Sequence, residues 1–210
     1  MNIGAFFMRT LIIENQYFPS ILFYSMVLRF ERVELEAQEH FQKKSFRNRM
    51  QLPGPNGIQE LSIPLQSGKT SISMKDVAIS YEQDWRKNHW NTVENIYKNS
   101  PYFIHYRDGL ETLFASKYFS LWEFQLAIHN WVFKTLKVDK VLDRTKEYIK
   151  SYDENHFADA RDVISPKGIG LEDFKHGKYM QVFEDRTGFL PNMSILDLLL
   201  NEGPNSVQYL

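Results

Sequence analysis

The 210-residue chain contains no cysteine, and this absence excludes several kinds of chemistry at once. Disulfide bonds, thiolate nucleophiles and cysteine-ligated zinc or iron–sulfur sites cannot form without thiols. The beginning of the chain lacks the basic segment and the long apolar run of a signal peptide. No stretch approaches the ~18 apolar residues of a membrane-spanning helix. Since disulfides are disfavoured in reducing compartments, we expect a cytoplasmic protein without a membrane span.

The chain also has no excess of charge, because 25 lysines and arginines stand against 26 aspartates and glutamates. A protein that binds nucleic acid through its surface charge needs a clear basic excess, so we expect no nucleic-acid partner. Any site for an anion must then be local.

Sequence motifs of several common sites are missing too. Neither G-x-G-x-x-G nor G-x-x-x-x-G-K-[ST] occurs, which argues against a Rossmann or P-loop phosphate site. H-E-x-x-H and G-x-S-x-G are absent, so we expect neither a dedicated metal site nor a serine nucleophile.

Hydrophobic patterning predicts strands in the first half of the chain and helices in the second. Apolar or alternating segments typical of strands lie at 10–14, 31–37, 45–52, 58–65 and 75–80. A buried helix is predicted between the first two strands, at 21–30, with Ser20 as its N-cap. Three helices are expected within 84–137, capped by Asp84, by Ser100 with Pro101, and by Ser120.

The end of the chain is predicted to be less regular. Residues 151–188 are polar and show no clear period, while S-x-x-D at 194–197 is typical of a capping box that opens a short helix over 194–202. We therefore predict one α/β domain over residues 1–210. Its strand-rich N-terminal half, 10–80, forms a mixed sheet packed against a helical C-terminal half.

Cations are concentrated in residues 40–50, HFQKKSFRNRM. If segment 32–37 pairs with segment 45–51, Glu34 and Glu36 can lie across from Arg47 and Arg49. Such cross-strand pairs form a salt-bridged face, each contributing roughly 0.2–1 kcal/mol. The other interpretation is a clamp for phosphate or carboxylate, because the planar guanidinium suits bidentate contacts with such groups. Both interpretations stay open.

Neighbours of these arginines complete this candidate site. Lys43 adds a point charge on the connection between the two strands, beside His40. Asn48 falls on the apolar side of its strand, where a buried amide must find a hydrogen-bond partner. That partner is either a ligand or a neighbouring strand or loop.

A second candidate site follows the first strand. Asn15, Gln16 and Tyr17 stand between that strand and the following helix, and ligands in open α/β sheets bind beyond the carboxyl ends of strands. The alternative is a plain turn with an aromatic lid on the core. Trp85 and Tyr102 are candidates for stacking on a sugar or base, although aromatic residues at helical spacing are more often core.

Histidine supplies the candidates for acid–base catalysis. His89 and His40 are the best placed, since imidazole titrates nearest to neutral pH. Glu36 could orient a histidine or hold sugar hydroxyls. Each histidine taken alone is more often structural than catalytic.

Taken together, the motifs resemble those of the WbqC-like family, found in bacterial O-antigen and surface-polysaccharide gene clusters. The resemblance covers almost the whole chain and rests on five segments in order: YFP (17–19), EAQEHFQKKSFRNR (36–49), QELSIPL (59–65), DWRKNHWNTVENIYKNSPYF (84–103) and SILDLLLNEGP (194–204). Family members often carry Q-P-Y-x-x-P where this chain has NQYFP. Many have an Asp pair where this chain has Glu36-Ala37, so the resemblance does not transfer a carboxylate pair for a metal.

The resemblance implies a function in surface-glycan biosynthesis. The leading interpretation is a transferase that moves an acyl or aminoacyl group onto a nucleotide-linked amino sugar. Its ligand would be a small anionic molecule such as a nucleotide-sugar, with no cofactor assigned and a homo-oligomer left open. The alternative is a non-catalytic protein that binds a glycan precursor or assists a partner enzyme.

Overall fold

A computed structural model describes residues 9–66, 72–166 and 177–210. Its fold is α/β, as predicted. In chain order the strands are β1 (Thr10–Glu14), β2 (Arg32–Glu36), β3 (Arg49–Gly54), β4 (Gly57–Ser62), β5 (Asp143–Arg144) and β6 (Phe157–Asp159). The helices are α1 (Ile21–Arg29), α2 (Trp85–Tyr97), α3 (Phe103–Ala115), α4 (Leu121–Leu136), α5 (Glu184–Thr187) and α6 (Ile195–Glu202).

Four strands form a parallel sheet in the order β5-β2-β1-β6. Leu11, Ile12 and Ile13 of β1 are completely buried, which explains why this strand is a continuous apolar run. Helix α1 connects β1 to β2, and β6 lies on the other side of β1. The connections therefore run to opposite edges of the sheet, β1 to β2 in one direction and β5 to β6 back across it. Open α/β sheets bind ligands at such a switch point, beyond the carboxyl ends of their strands.

The other two strands, β3 and β4, form an antiparallel hairpin. The predicted pairing of 32–37 with 45–51 is wrong, because β2 is already paired on both sides by β1 and β5. The prediction overlooked the local alternative. The turn at Pro55-Asn56, followed by Gly57 at a φ of +111°, folds β3 directly back onto β4.

Segment 75–80 is also not a strand, although it was predicted to be one. Met74–Asp76 forms a 3₁₀ turn, and Ala78 and Ile79 then make only isolated bridges. Val77, Ile79 and Met74 are buried, so the apolar pattern reflects packing rather than a sheet ladder.

Helices α2, α3 and α4 fall within 84–137, where helices were predicted. Ser120 forms a full capping box with Glu123 at the start of α4. The predicted cap of α3 is wrong by two residues, because α3 begins at Phe103 with Tyr102 at the N-cap. Neither Ser20 nor Asp84 makes a side-chain cap bond, although both occupy the N-cap position of their helices.

The described parts of segment 151–188 contain β6 and the single turn α5; residues 167–176 lie outside the described part. The predicted C-terminal helix is confirmed as α6, with the Ser194 hydroxyl accepting from the Leu196 amide. Within the ranges that the structure describes, no helix is long and apolar enough to cross a membrane.

Candidate functional site

A cleft of about 580 Å³ opens at the carboxyl edge of the parallel sheet. Its lining comes from the loop after β2, from the connection between β5 and β6, and from the end of β6 with the residues after it, namely 38–42, Tyr148, Lys150, Asp159, Arg161 and Asp162. We call it the carboxyl-edge cleft. It lies where open α/β sheets bind their ligands, so the topology alone makes it the candidate site.

Arg47 lies beneath this cleft and is completely buried. Its Nε and Nη2 atoms donate to the two carboxylate oxygens of Glu39, at 2.8 and 2.6 Å. Nη2 also donates to Asp162 Oδ1 at 2.9 Å. Burial opposes the charge of Arg47, but these carboxylates outweigh it and raise its pKa. A guanidinium held in this way stabilises the two loops that carry the cleft lining.

Glu14, at the end of β1, carries a buried carboxyl group, and no arginine among the described residues binds both of its oxygens. Its oxygens accept from Gln16 Nε2 at 2.6 Å and from the Asp162 amide at 3.0 Å. Burial raises the pKa of Glu14 to about 7, although Arg47 pulls in the opposite direction. Glu14 therefore carries a proton for part of the time near neutral pH.

A second buried guanidinium, that of Arg161, forms part of the cleft wall. It makes two bonds to Asp159, at 2.8 and 2.5 Å, and one to Glu36 Oε2 at 3.2 Å. The hydrogen bonds to Asp159 dominate and raise the pKa of Arg161 despite its burial. It also lies 5.1 Å from the ring centroid of Tyr148 and 5.0 Å from that of Tyr152.

Charge around the cleft is acidic on balance. Five carboxyl groups surround the two arginines, three of them in the lining and two behind it: Glu39, Asp159, Asp162, Glu14 and Glu36. Gln42 Nε2 donates to Asp162 Oδ2, so an amide is held beside the most exposed of these carboxylates. Among the described residues, no group of three histidines, aspartates or glutamates is arranged to hold a metal ion.

His40 and Glu36 are the predicted catalytic residues that the structure places at this cleft. His40 is exposed and lines it. Glu36 lies behind the lining, where its oxygens accept from the Thr145 hydroxyl and the Gln38 amide as well as from Arg161. Glu36 therefore positions the loop after β2, and among the described residues no histidine donates to it.

His89 lies elsewhere, on the buried side of α2, where it faces the turn after β1. Its Nδ1 is 2.9 Å from the hydroxyl of Tyr17, and both residues are buried. Burial lowers the pKa of His89 to about 4, so its imidazole is neutral near pH 7. Trp85, whose Nε1 donates to the Ser80 carbonyl, packs against the same imidazole. These three aromatic residues pack together away from the cleft lining.

Asn15 and Gln16 are buried, and each has one side-chain atom, Asn15 Nδ2 and Gln16 Oε1, without a hydrogen-bond partner among the described residues, so their binding role stays a prediction. Asn15 Oδ1 is 2.9 Å from His129 Nε2, and His129 Nδ1 is 2.9 Å from the Tyr24 hydroxyl. Burial lowers the pKa of His129 to about 3. Gln16 donates to Glu14 and so supports the floor of the cleft from behind.

The rest of the predicted ligand-binding set is divided between the hairpin, the cationic loop and α3. Arg49 pairs with Glu60 across the hairpin at 2.6 Å, and Asn48 donates to the Ile63 carbonyl at 2.8 Å. The partner of the Asn48 amide is thus a neighbouring backbone. Lys43 is exposed on the loop that follows the cleft lining, and Tyr102 stacks on Tyr106 at the start of α3. Their binding roles stay predictions.

Sequence reasoning missed most of the residues that shape the cleft, among them Glu14, Glu39, Tyr148, Arg161 and Asp162. Glu14 carried a usable signal, because a carboxylate that ends an apolar strand lies at the binding edge of a parallel sheet. Arg161 and Asp162 follow β6, a three-residue strand too short to show a periodic pattern, while Glu39 lies in the loop after β2 and Tyr148 in the connection from β5 to β6.

The model of the WbqC-like protein family matches residues 15–164. An uncharacterized protein of Mycobacterium tuberculosis is 22% identical over 227 residues, covering 95% of this chain and 96% of that protein. No solved structure matches significantly. The matched family region contains β2–β6 and all the residues that line the cleft, whereas β1 with Glu14 lies just before it.

Proposed function

The chain belongs to the WbqC-like protein family, and we propose that its carboxyl-edge cleft binds an amino sugar linked to a nucleotide. In this proposal the protein is a cytoplasmic transferase of surface-glycan biosynthesis that places an acyl or aminoacyl group on the sugar amine. The family resemblance supplies the glycan setting, and the side chains of the cleft supply the ligand chemistry.

The observation that carries the proposal is the combination of groups in one cleft. Asp162 presents a carboxylate with about half of its side chain exposed, beside the amide of Gln42. Carboxylate and amide groups bind sugar hydroxyls and ammonium groups by hydrogen bonds, and charge-assisted bonds are the stronger ones. The acidic balance of the lining favours a ligand group that is positive.

Two basic side chains lie at the exposed parts of the cleft. His40 and Lys150 both line it and are exposed, and Lys43 lies on the loop that follows His40. Arg47, by contrast, is satisfied by Glu39 and Asp162. Phosphates would therefore bind at Lys150, rather than at Arg47 as the sequence suggested.

Transfer to an amine needs one proton acceptor at the cleft, and His40 is suitably placed. Its imidazole would take one proton from the sugar ammonium, and the resulting neutral amine would attack the carbonyl carbon of an acyl thioester. As the N–C bond forms and the C–S bond breaks, the nitrogen loses its second proton to the leaving thiolate, and His40 returns its own proton to solvent. Asp162 would hold the amine during the attack.

The test is calorimetric titration of the protein with UDP-glucosamine and UDP-glucose, which differ at one sugar substituent. We expect Asp162→Asn to weaken UDP-glucosamine roughly tenfold, because a charge-assisted bond contributes about 1.5–3 kcal/mol. UDP-glucose, which has no amine, should change by less than about threefold.

Glu60→Gln is the matched control, since it removes an arginine-paired carboxylate on the hairpin, outside the cleft lining. It should leave both affinities unchanged. Failure of both sugars to bind, or an equal loss with Glu60→Gln, would contradict the proposal.

A specific observation also favours the non-catalytic alternative. Of the three catalytic candidates, His40 lines the cleft, whereas His89 is buried in the core and Glu36 is engaged by Thr145 and Arg161. A binding protein would retain its ligand affinity in His40→Ala and form no product. Mass spectrometry of UDP-glucosamine incubated with acetyl-coenzyme A separates the two functions. Only a transferase adds an acetyl group to the sugar, and His40→Ala should abolish that product.

A further inference from the structure

Tyr148 is an exposed aromatic residue in the lining of the carboxyl-edge cleft. Its side chain is 55% exposed. An exposed aromatic ring in a cleft offers a flat apolar face on which a ligand ring can pack. No role for it follows from the cleft's carboxylates.

Arg161 fixes this ring from one side. Its guanidinium carbon is 5.1 Å from the Tyr148 ring centroid, a cation–π contact. The same guanidinium is held by Asp159, by Glu36 and by the carbonyl of Ile149, so it cannot move freely. Tyr148 therefore rests on a rigid support rather than on a mobile side chain.

Tyr152 provides an internal comparison, because it contacts the same guanidinium at 5.0 Å. Its ring also lies 5.0 Å from that of Phe157 in β6, so Tyr152 packs into the protein. Within the described ranges, the ring of Tyr148 packs against no other aromatic ring. One tyrosine is thus a packing residue, and the other has a face open to a ligand.

The guanidinium of Arg161 behind the Tyr148 ring determines which ligand group the open face of the ring prefers. A cation held against one face of an aromatic ring draws electron density towards itself and makes the opposite face less negative. Such a face is a poor site for a second cation, such as a sugar ammonium, and a good one for an electron-rich ring stacked in an offset arrangement. Nucleobases are rings of this type, and stacking on an aromatic residue tolerates any base.

We propose that Tyr148 is the stacking platform for the nucleobase of the ligand. The inference rests on the proposed function, which supplies a nucleotide-linked sugar. Lys150 lies two residues further along the same loop and also lines the cleft, so a diphosphate can follow the base. Asp162, across the cleft lining, then receives the amino sugar. Tyr148 would determine affinity for the nucleotide part and leave the sugar part untouched.

The test compares two probes on the full chain: UDP-glucosamine, and glucosamine 1-phosphate, which has no base. Tyr148→Ala should weaken UDP-glucosamine roughly tenfold or more, as expected for loss of one stacked base. Glucosamine 1-phosphate should be unaffected, and Tyr148→Phe should bind UDP-glucosamine nearly as well as the unmodified protein. Saturation-transfer NMR should show magnetisation passing to the base protons.

Tyr152→Leu is the matched control, because it removes the other ring on Arg161 and leaves the open face of Tyr148 in place. It should leave the affinity for UDP-glucosamine unchanged. If Tyr148→Ala weakens both probes equally, or if Tyr152→Leu weakens binding as strongly, the stacking inference is overturned. If the unmodified protein binds both probes equally well, the base contributes nothing to affinity, so the stacking inference is wrong while the proposed function still holds. If neither probe binds, the proposed function itself is lost.

Discussion

Replacing Glu39 by glutamine should destabilise the protein far more than replacing Asp162 by asparagine, although both carboxylates bind the same Nη2 atom of Arg47. The side chains of Arg47 and Glu39 are 2% and 5% exposed, while that of Asp162 is 53% exposed. Removing one partner of a buried pair leaves a buried charge uncompensated and costs about 3–5 kcal/mol. Asp162 is half-exposed, so water and salt screen its pairing with buried Arg47, and its loss costs closer to the ~1 kcal/mol of a surface pair.

Urea denaturation followed by circular dichroism measures both free energies of unfolding. Asparagine suits position 162 because the residue has a φ of +63°, a conformation that asparagine tolerates well. The Asp162 amide also keeps its bond to Glu14 in the variant. The reasoning would be refuted if the two variants lost similar stability, or if Glu39→Gln lost less than about 1 kcal/mol.

Three further predictions concern the rest of the fold. Burial lowers the pKa of His89 from 6.5 to about 4, so the unfolded chain binds a proton there that the folded chain excludes. Stability should therefore fall as the pH drops from about 6.5 to about 4, and His89→Gln should remove about 3 kcal/mol of that loss in pH-dependent urea titrations. Gly109→Ala should lower the thermal midpoint despite alanine's better helix propensity, since a Cβ there would lie 2.6 Å from Trp131 Nε1. Asp197 accepts hydrogen bonds from Tyr97, Tyr179, Gln181 and Asn201, so Asp197→Asn should speed limited proteolysis within 177–190.

Much of the secondary structure could be predicted from the sequence, because the signals are local. Thr10–Glu14 is a buried parallel strand and therefore a continuous apolar run, and Ser120 with Glu123 forms a capping box that is visible in the letters. Strand pairing is not local. Segments 31–37 and 45–52 both alternate, and nothing in the alternation says that the first belongs to a parallel sheet and the second to a hairpin.

The candidate site was only partly predictable for the same reason. His40 and Glu36 were identified because they lie close to the cationic segment in sequence. The partners of Arg47 and Glu36 include Asp162 and Arg161, more than 110 residues away along the chain. An Arg–carboxylate pair at that separation leaves no periodic trace. Arg47 also shows that a cluster of cations need not bind an external anion, because the protein itself neutralises this one.

The S-x-x-D motif at 194–197 predicts the start of α6, but it does not predict what the carboxylate of Asp197 contacts. The S-x-x-D spacing was interpreted as a capping box, and Ser194 does accept a backbone bond at the start of α6. The carboxylate of Asp197, however, turns into the core, where the hydroxyls of Tyr97 and Tyr179 donate to it. Burial raises its pKa to about 6. Its role is to join α6 to α2 and to the chain after residue 177.

The location of the ligand site is tested most directly by an amide NMR titration of the isotope-labelled full chain with UDP-glucosamine. The account predicts that the largest chemical-shift changes fall on the carboxyl-edge cleft, at residues 38–42, 148–150 and 159–162. Changes concentrated instead around Trp85, His89 and Tyr102, with the cleft resonances unmoved, would contradict it.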